Sequence, residues 1–427
     1  MYNHISQMEP LYPARSESLE DLAREVVAAS ARLEGRLAPE TLEGVRRLLL
    51  VVNSYYSNLI EGHSTHPVDI ERAMRQDYSA DQEKRDLQIE SRVHIEVQEE
   101  ITERLSREPD LNVASPEFLC WMHERFYSRL PDRLRWVRGD DGESAYVDAG
   151  HLRTRFVKVG RHVPPAAEAL DSFLERFAFF YDPAKQHGVR PLIALAAAHH
   201  RLMWIHPFLD GNGRVARLFT DAYFLRSGVG GYGLWNVSRG LARGRESYRA
   251  HLAAGDEPRE GDLDGRGNRS DRTLTEFCAF FLQVCLDQAR YMDVLLSLNG
   301  FVDRLEGYVQ LREKGVALGP EGAPAPLRRE VAKVLRAAAI EGEIARGEVA
   351  RLIGMSERTG RDVLRGLLEE GLLVATSERG PVRLGFPAHA AGYLFPGLYP
   401  AEGHTGQAGA AERVMNEDRQ ALRKLSE

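Results

Sequence analysis

The stretch His206-Pro207-Phe208-Leu209-Asp210-Gly211-Asn212-Gly213-Arg214-Val215-Ala216-Arg217 constrains this chain more than any other. The run before it, Pro191 to Ile205, is rich in Ala, Leu, Ile and Met, has no internal Gly or Pro after its first residue, and reads as a buried helix. Pro207 ends that helix. The run after it, Arg214 to Arg226, places Val215, Leu218, Phe219, Ala222 and Leu225 on one helical stripe, and Ser227-Gly228 closes it. Asp210-Gly211-Asn212-Gly213 is therefore a tight turn feeding a helix N-terminus. Its glycines permit positive φ and close backbone approach. Free N–H groups and the helix dipole attract an anion there. Arg214 and Arg217 are three apart and share a face, and two guanidinium forks suit a polyphosphate. Asp210 is an oxygen ligand where Mg²⁺ bridging phosphates would sit. His206 stands at the mouth of the loop, and neutral imidazole is a natural base for a hydroxyl near neutral pH.

Taken singly, a His-Pro is a helix stop, a Gly-Asn-Gly is a turn and an Arg pair is a solvated face. In this order they fill every fixed position of HPFx(D/E)GNGRxxR, and the chain resembles the Fic-domain family. The resemblance implies a reaction and a role for each residue. His206 would deprotonate a hydroxyl of a target protein, on Ser, Thr or Tyr. Asp210 would hold Mg²⁺, and Asn212 would contact the α-phosphate of ATP. Arg214 would bind the β-phosphate region and Arg217 the γ-phosphate, with Gly211 and Gly213 in the phosphate nest. Phe208 would anchor the loop. Attack on the α-phosphorus would leave AMP on the target, self-modification included, and release pyrophosphate. The neighbouring His199 and His200 lie inside the preceding helix and read as packing or local hydrogen bonds.

Two further stretches support the resemblance. Arg153-Thr154-Arg155-Phe156-Val157-Lys158-Val159-Gly160 alternates apolar and polar residues and then turns, which predicts a short β-hairpin. In the family reading it is the flap over the active site, where the target's main chain adds as a strand and Val159 and Gly160 lie near the nucleotide. Ser57-Asn58-Leu59-Ile60-Glu61-Gly62 ends a helical run from Leu42 to Ile60, with Ser57 and Glu61 one turn apart and Gly62 as cap. An acid at that end is mildly unfavourable for the dipole. The stretch resembles the (S/T)xxxE(G/N) inhibitory motif of Fic proteins. That likeness implies that Glu61 pairs with Arg217 and blocks productive ATP binding. Tyr248 falls in a region that forms the nucleoside pocket in relatives. Arg249 follows it, and Asp256 stands where an Asn is expected, so the base contact departs from the family pattern.

At 427 residues and 43% hydrophobic, the chain can bury a sizeable core and hold two domains. Met1 to Arg15 has no apolar segment of a signal peptide, and no run approaches a membrane span. Three cysteines without disulfide or zinc spacing suit a reducing cytoplasm. The net charge of −7 gives no global pull toward nucleic acid. Asp256 to Ser270 reads as a solvated loop and Leu274 to Leu298 as a long apolar helix. Gly315 to Pro326 is rich in Gly, Pro and Ala and reads as a linker.

Beyond it the pattern predicts helices at Leu327–Ile340, Arg346–Ile353 and Glu357–Glu370, the last capped by Ser356. Strands follow at Leu372–Val374 and Val382–Leu384, an order that predicts a winged helix-turn-helix. Arg358, Arg361 and Arg365 share the third helix, where a DNA reader would present them. Residues 327–386 nevertheless carry 11 Lys and Arg against 9 Asp and Glu, a net of +2, which is small for a DNA footprint.

The expected architecture is mainly α. An N-terminal helical region (1–110) carries the inhibitory helix, and a Fic-type catalytic core (111–314) carries the small hairpin flap. A linker (315–326), the winged helix (327–400) and a polar tail (401–427) follow. The expected function is a cytoplasmic AMP transferase held back by Glu61. The rivals are a DNA-binding regulator whose core senses nucleotide, and a Fic enzyme that uses another nucleotide or removes AMP.

Overall fold

The computed structural model describes residues 2–14, 16–139, 142–320 and 322–400; the polar tail at 401–427 lies outside them. The fold is mainly helical. The chain runs through α1 (Glu17–Arg32), α2 (Pro39–Glu61), α3 (Pro67–Met74), α4 (Gln82–Arg107) and α5 (Pro116–Tyr127). A two-stranded ribbon follows, β1 (Trp136–Arg138) antiparallel to β2 (Ser144–Tyr146). Next come α6 (Leu170–Phe180), α7 (Arg190–Ile205), α8 (Asn212–Arg226), α9 (Val237–Arg243), α10 (Arg245–Gly255), α11 (Asp271–Leu295) and α12 (Leu298–Glu313). The last part holds α13 (Val331–Glu341), β3 (Glu343–Ile344), α14 (Glu348–Ile353), α15 (Glu357–Glu370), β4 (Leu373–Ala375), β5 (Val382–Leu384) and α16 (Ala388–Leu394).

The chain separates into two compact units. The first comprises residues 1–31, 53–65 and 76–290. Its centre is α7, whose Ala-rich sequence lets neighbours approach closely. Nearly all of its residues are buried, and it packs against α6, α8 and α10. Helix α8 is covered in turn by α4 and α5. Side-chain caps start two of these helices: Asp81 accepts from Lys84 N at 2.9 Å, and Ser115 from Phe118 N with Pro116 next.

Among the described residues, the second unit comprises 32–52, 66–75 and those from 291 to 400. Helix α2 thus gives its first part to this unit and its last turns to the first one. Helices α13, α14 and α15 and a three-stranded antiparallel sheet of order β3-β5-β4 enclose Val334, Leu335, Ile353, Leu364, Leu367, Leu373 and Leu384. The three helices and the hairpin lie within a few residues of the positions read from sequence. Ser356 caps α15 by accepting from Thr359 N, and left-handed Gly354 and Gly371 close α14 and α15. Strand β3 adds an edge that the sequence reading left out. The Gly-, Pro- and Ala-rich stretch read as a linker lies inside this unit. Buried Arg312 holds Ala325 O at 3.0 Å through Nε and pairs with Glu370, so the composition marks a pinned turn.

One expectation fails locally. Residues 153–160 do not form a β-hairpin; among the described residues the only pairing there is a single bridge between Val159 and His162. The alternation was real, but Arg153 turns inward to bind main-chain carbonyls while Phe156 is left 57% exposed. A two-sided ribbon cannot form when its first residue is anchored elsewhere.

Candidate active site

The loop from His206 to Gly211 is shaped by its own residues. His206 ends α7 in the left-handed region (φ 51°, ψ 62°), and Gly211 starts α8 there too (φ 80°). A non-glycine residue at positive φ needs external support. Arg153 supplies it. Its Nε donates to His206 O at 2.8 Å, its Nη2 to Pro165 O at 2.6 Å, and its main-chain N–H to Pro207 O at 2.9 Å. Asn212 closes the loop from inside: Oδ1 accepts from Phe208 N at 2.9 Å and Nδ2 donates to Phe208 O at 2.8 Å. Its side chain therefore staples the loop, and its main chain is what remains for an anion. Phe208 is fully buried and stacks on His123, with centroids 4.1 Å apart. A Cβ on Gly211 would come within 2.5 Å of the Tyr127 ring, so the turn needs glycine for space as well as for φ.

Burial holds the His206 imidazole down at about 4, with His162 and Arg153 adding to the shift. The ring is neutral across the neutral range, as a base must be. Its Nδ1 is buried without a hydrogen-bond partner among the described residues. Asp210 is drawn two ways: burial raises its pKa, while Arg214 and a hydrogen bond from Tyr127 lower it, and the net direction is down. Tyr127 Oη donates to Asp210 Oδ2 at 2.7 Å and accepts from Arg214 Nη2 at 2.9 Å. Arg214 is buried; its Nη1 donates to Glu90, itself 3% exposed, and its Nε has no partner among the described residues. The side chain of Asp210 is 40% exposed. One accessible carboxylate beside a polyphosphate cradle fits Mg²⁺, which binds through one or two carboxylates plus phosphate oxygens. Among the described residues no cluster of three or more His, Cys, Asp or Glu could hold a metal alone.

Arg217 is 2% exposed and held by the end of α2, with Tyr248 of α10 also against it. Its Nε donates to Ser57 Oγ at 2.8 Å, and its Nη2 to Ser57 O at 2.9 Å and to Glu61 Oε1 at 2.5 Å. A Cβ on Gly213 would lie 2.3 Å from Glu61 Oε1, so a side chain there would push the Glu61 carboxylate aside. Burial raises the Glu61 pKa, but Arg217 and Arg214 outweigh it and the carboxyl is shifted down. Gly62 follows at φ 97° and ends the helix. Arg249, on α10, reaches Ile60 O at 3.5 Å, which puts a cation at the negative end of α2.

The structure thus brings His206, Asp210, Gly211, Asn212, Gly213, Arg214, Arg217, Ser57 and Glu61 together. Tyr248 is 2% exposed, with its hydroxyl 2.7 Å from His199 Nε2, and it also meets Arg217; it is buried against the site and does not line an open pocket. Val159 and Gly160 sit at the tip of the 159–162 turn, with Val159 exposed. His199 bridges Thr220 and Tyr248, and His200 lies 3.0 Å from Leu252 O, as local hydrogen bonds. Asp256 lies 3.5 Å from both His162 Nδ1 and His200 Nε2, and burial raises its carboxyl to about 7. Tyr127, Glu90 and His63 were not read from sequence, and Arg153 was read only as part of the expected hairpin. The alternating charges of α4 look like an ordinary solvated face, and no local pattern marks these residues.

Residues 113–224 match the model of the Fic/DOC family. The chain is 33% identical over 105 residues to a protein adenylyltransferase Fic of Drosophila mojavensis, covering 25% of this chain and 21% of that protein. It is 38% identical over 87 residues to the protein of the same name from Nematostella vectensis, covering 20% of each. The chain therefore spans only about a fifth of the length of these curated relatives. The fold resembles that of a Fic family protein from Desulfovibrio desulfuricans G20, with a TM-score of 0.50 and 18% identity over 87% of this chain and 97% of that one. The His206–Arg217 loop lies inside the segment, residues 113–224, that matches the Fic/DOC family.

Proposed function

We propose that the protein transfers AMP from ATP to a hydroxyl of a target protein, and that the structure is its self-inhibited state. The observation that carries this reading is Arg217, a guanidinium of the phosphate cradle, held by the Glu61 carboxylate and Ser57. The hydroxyl oxygen attacks the α-phosphorus, its proton passes to His206, and the bond to the bridging oxygen of pyrophosphate breaks. The start of α8 cradles the triphosphate with its N–H groups. Arg214 neutralises charge near the β-phosphate, and Arg217, once freed, would hold the γ-phosphate. Asp210 would hold Mg²⁺, which when bound adds charge neutralisation on the phosphates. The test is label transfer by the purified full chain. Protein-bound label is expected from ATP labelled at the α-phosphate and not from ATP labelled at the γ-phosphate. Transfer from γ-labelled ATP, or from neither with Glu61 replaced, would sink the reading.

A second reading concerns the second unit alone. Arg358, Arg361 and Arg365 are all exposed on α15, which is capped by Ser356 and followed by the β4–β5 hairpin. That arrangement favours a winged helix presenting α15 to DNA. Arg365 is partly offset by Asp362 at 3.3 Å. Replacing the three arginines with Ala is expected to weaken DNA retention. It should also flatten the salt dependence, by about one unit of slope for each phosphate no longer neutralised. Absence of any parent–DNA complex at ~50 mM salt would end this reading. Among the described residues, no helix is long and apolar enough to cross a membrane.

A further inference from the structure

The pairing of Glu61 with Arg217 accounts for only one of the contacts that seat the segment Asn53–His63. The facing sides of α2 and α4 are polar where helix–helix interfaces are usually apolar. Asn53, Ser54, Ser57 and Asn58 of α2 and Glu90, Ser91, His94 and Gln98 of α4 are all buried. Asn53 Nδ2 donates to Gln98 Oε1 and to Asp221 Oδ2, both at 2.7 Å, and Ser54 Oγ donates to Ser91 O at 2.8 Å. The seam is incompletely satisfied. Asn53 Oδ1, Asn58 Oδ1 and His94 Nε2 are buried with no partner among the described residues. Such atoms gain hydrogen bonds when water reaches them, so part of the cost of opening this seam is offset, which would not hold for an apolar one. Past Gly62 the chain fastens a second time: His63 Nδ1 lies 2.7 Å from Glu90 Oε2, while the other oxygen of Glu90 takes Arg214. Glu90 therefore touches both the segment and the catalytic arginine.

We propose that Asn53–His63 is a releasable latch closed by two acid–cation pairs, Glu61–Arg217 and Glu90–His63, with Glu90 also positioning Arg214 against Tyr127 and Asp210. That this latch governs AMP transfer rests on the reading above; its opening and closing do not. His63 is faced by Glu90 from α4, Arg214 from α8 and Glu61 from its own segment. The hydrogen bond to Glu90 holds its imidazole above the ordinary range, against burial and Arg214. The closed-state pKa is the higher one. The closed latch is therefore favoured below the ordinary imidazole range and loosens as pH rises through the closed-state value.

Hydrogen–deuterium exchange with mass spectrometry on the full chain reads the latch without reference to activity. In His63→Ala, amides of residues 55–62 are expected to exchange ~3- to 10-fold faster than in the parent, the range of one partly exposed ion pair. Peptides from α11 should keep the parent's rate, which checks the fold. His63→Lys, a cation that does not titrate near neutrality, should restore protection. It should also abolish the loosening as pH rises above the ordinary imidazole range, once the intrinsic pH dependence of exchange is allowed for. Unchanged exchange at 55–62 in a folded His63→Ala, or a Lys variant no better protected than Ala, overturns the latch. If exchange rises but α-labelled ATP marks neither His63→Ala nor Glu61→Gly, the latch stands and the AMP-transfer reading falls.

Discussion

Glu61→Gly is expected to raise AMP transfer from α-labelled ATP by ~10²-fold or more, self-modification included. In the resting structure the Glu61 carboxylate occupies the guanidinium that a γ-phosphate needs, 2.5 Å from Arg217 Nη2. Its charge also repels an incoming triphosphate in a partly enclosed site, where screening is weak. An offset of about 1 Å at the reacting atom suffices for a ~10²-fold loss, so restoring the in-line position carries a large gain. Ser57 keeps its two bonds to Arg217 in the variant, so the freed guanidinium stays aimed at the cradle. Arg217→Ala should not mimic the activation, because it removes the phosphate anchor together with the brake. Glu61→Gln keeps the size and loses the charge, and should lie between parent and Glu61→Gly. Labelling of a folded Glu61→Gly at or below the parent's rate would reduce Ser57–Gly62 to an ordinary helix end.

Loss of the base is the opposite extreme. His206→Ala in the Glu61→Gly background is expected to lower labelling by ~10²–10⁴-fold while leaving most nucleotide affinity in place. In the proposed reaction the imidazole would face the attacking hydroxyl, whereas the phosphate contacts would come from the start of α8 and the arginines. The left-handed backbone at His206 adds a control. Alanine at φ 51° is strained by about 1–2 kcal/mol, whereas Asn adopts that region readily, so His206→Asn removes the base with less strain on the loop. Both variants should be equally inactive. A rate near the parent's in either would show that another group takes the proton. With burial holding the imidazole down at about 4, its own titration is expected well below neutrality.

The loop from His206 to Arg217 was legible in the sequence because its geometry is local. A helix stop, a glycine turn and two arginines one turn apart fix their own arrangement within twelve residues. The capped helices and the hairpin of the second unit were legible for the same reason, since Ser356, Gly354 and Gly371 act on their nearest neighbours. The flap was misread where a local pattern met a distant partner: the alternation at 153–160 is genuine, yet Arg153 is anchored 53 residues away at His206. The surroundings of Tyr248 were not legible for a similar reason, because nothing local shows that it meets His199, 49 residues earlier, and Arg217.

The sequence by itself therefore determined the local turn and helix start that carry His206, Asp210, Arg214 and Arg217, and its likeness to the inhibitory motif pointed to Glu61 as the partner of Arg217. The tertiary structure decided how deeply that pair is buried and added Glu90 beside Arg214. Glu61 meets Arg217 across 156 residues, and Glu90 meets Arg214 across 124. Glu90 sits on a helix whose own sequence looks like an ordinary helix surface, whereas Glu61 ends a helix with a recognisable motif. Their charges gain meaning only where packing buries them against the arginines, since an ion pair between elements so far apart in the chain depends on where those elements pack.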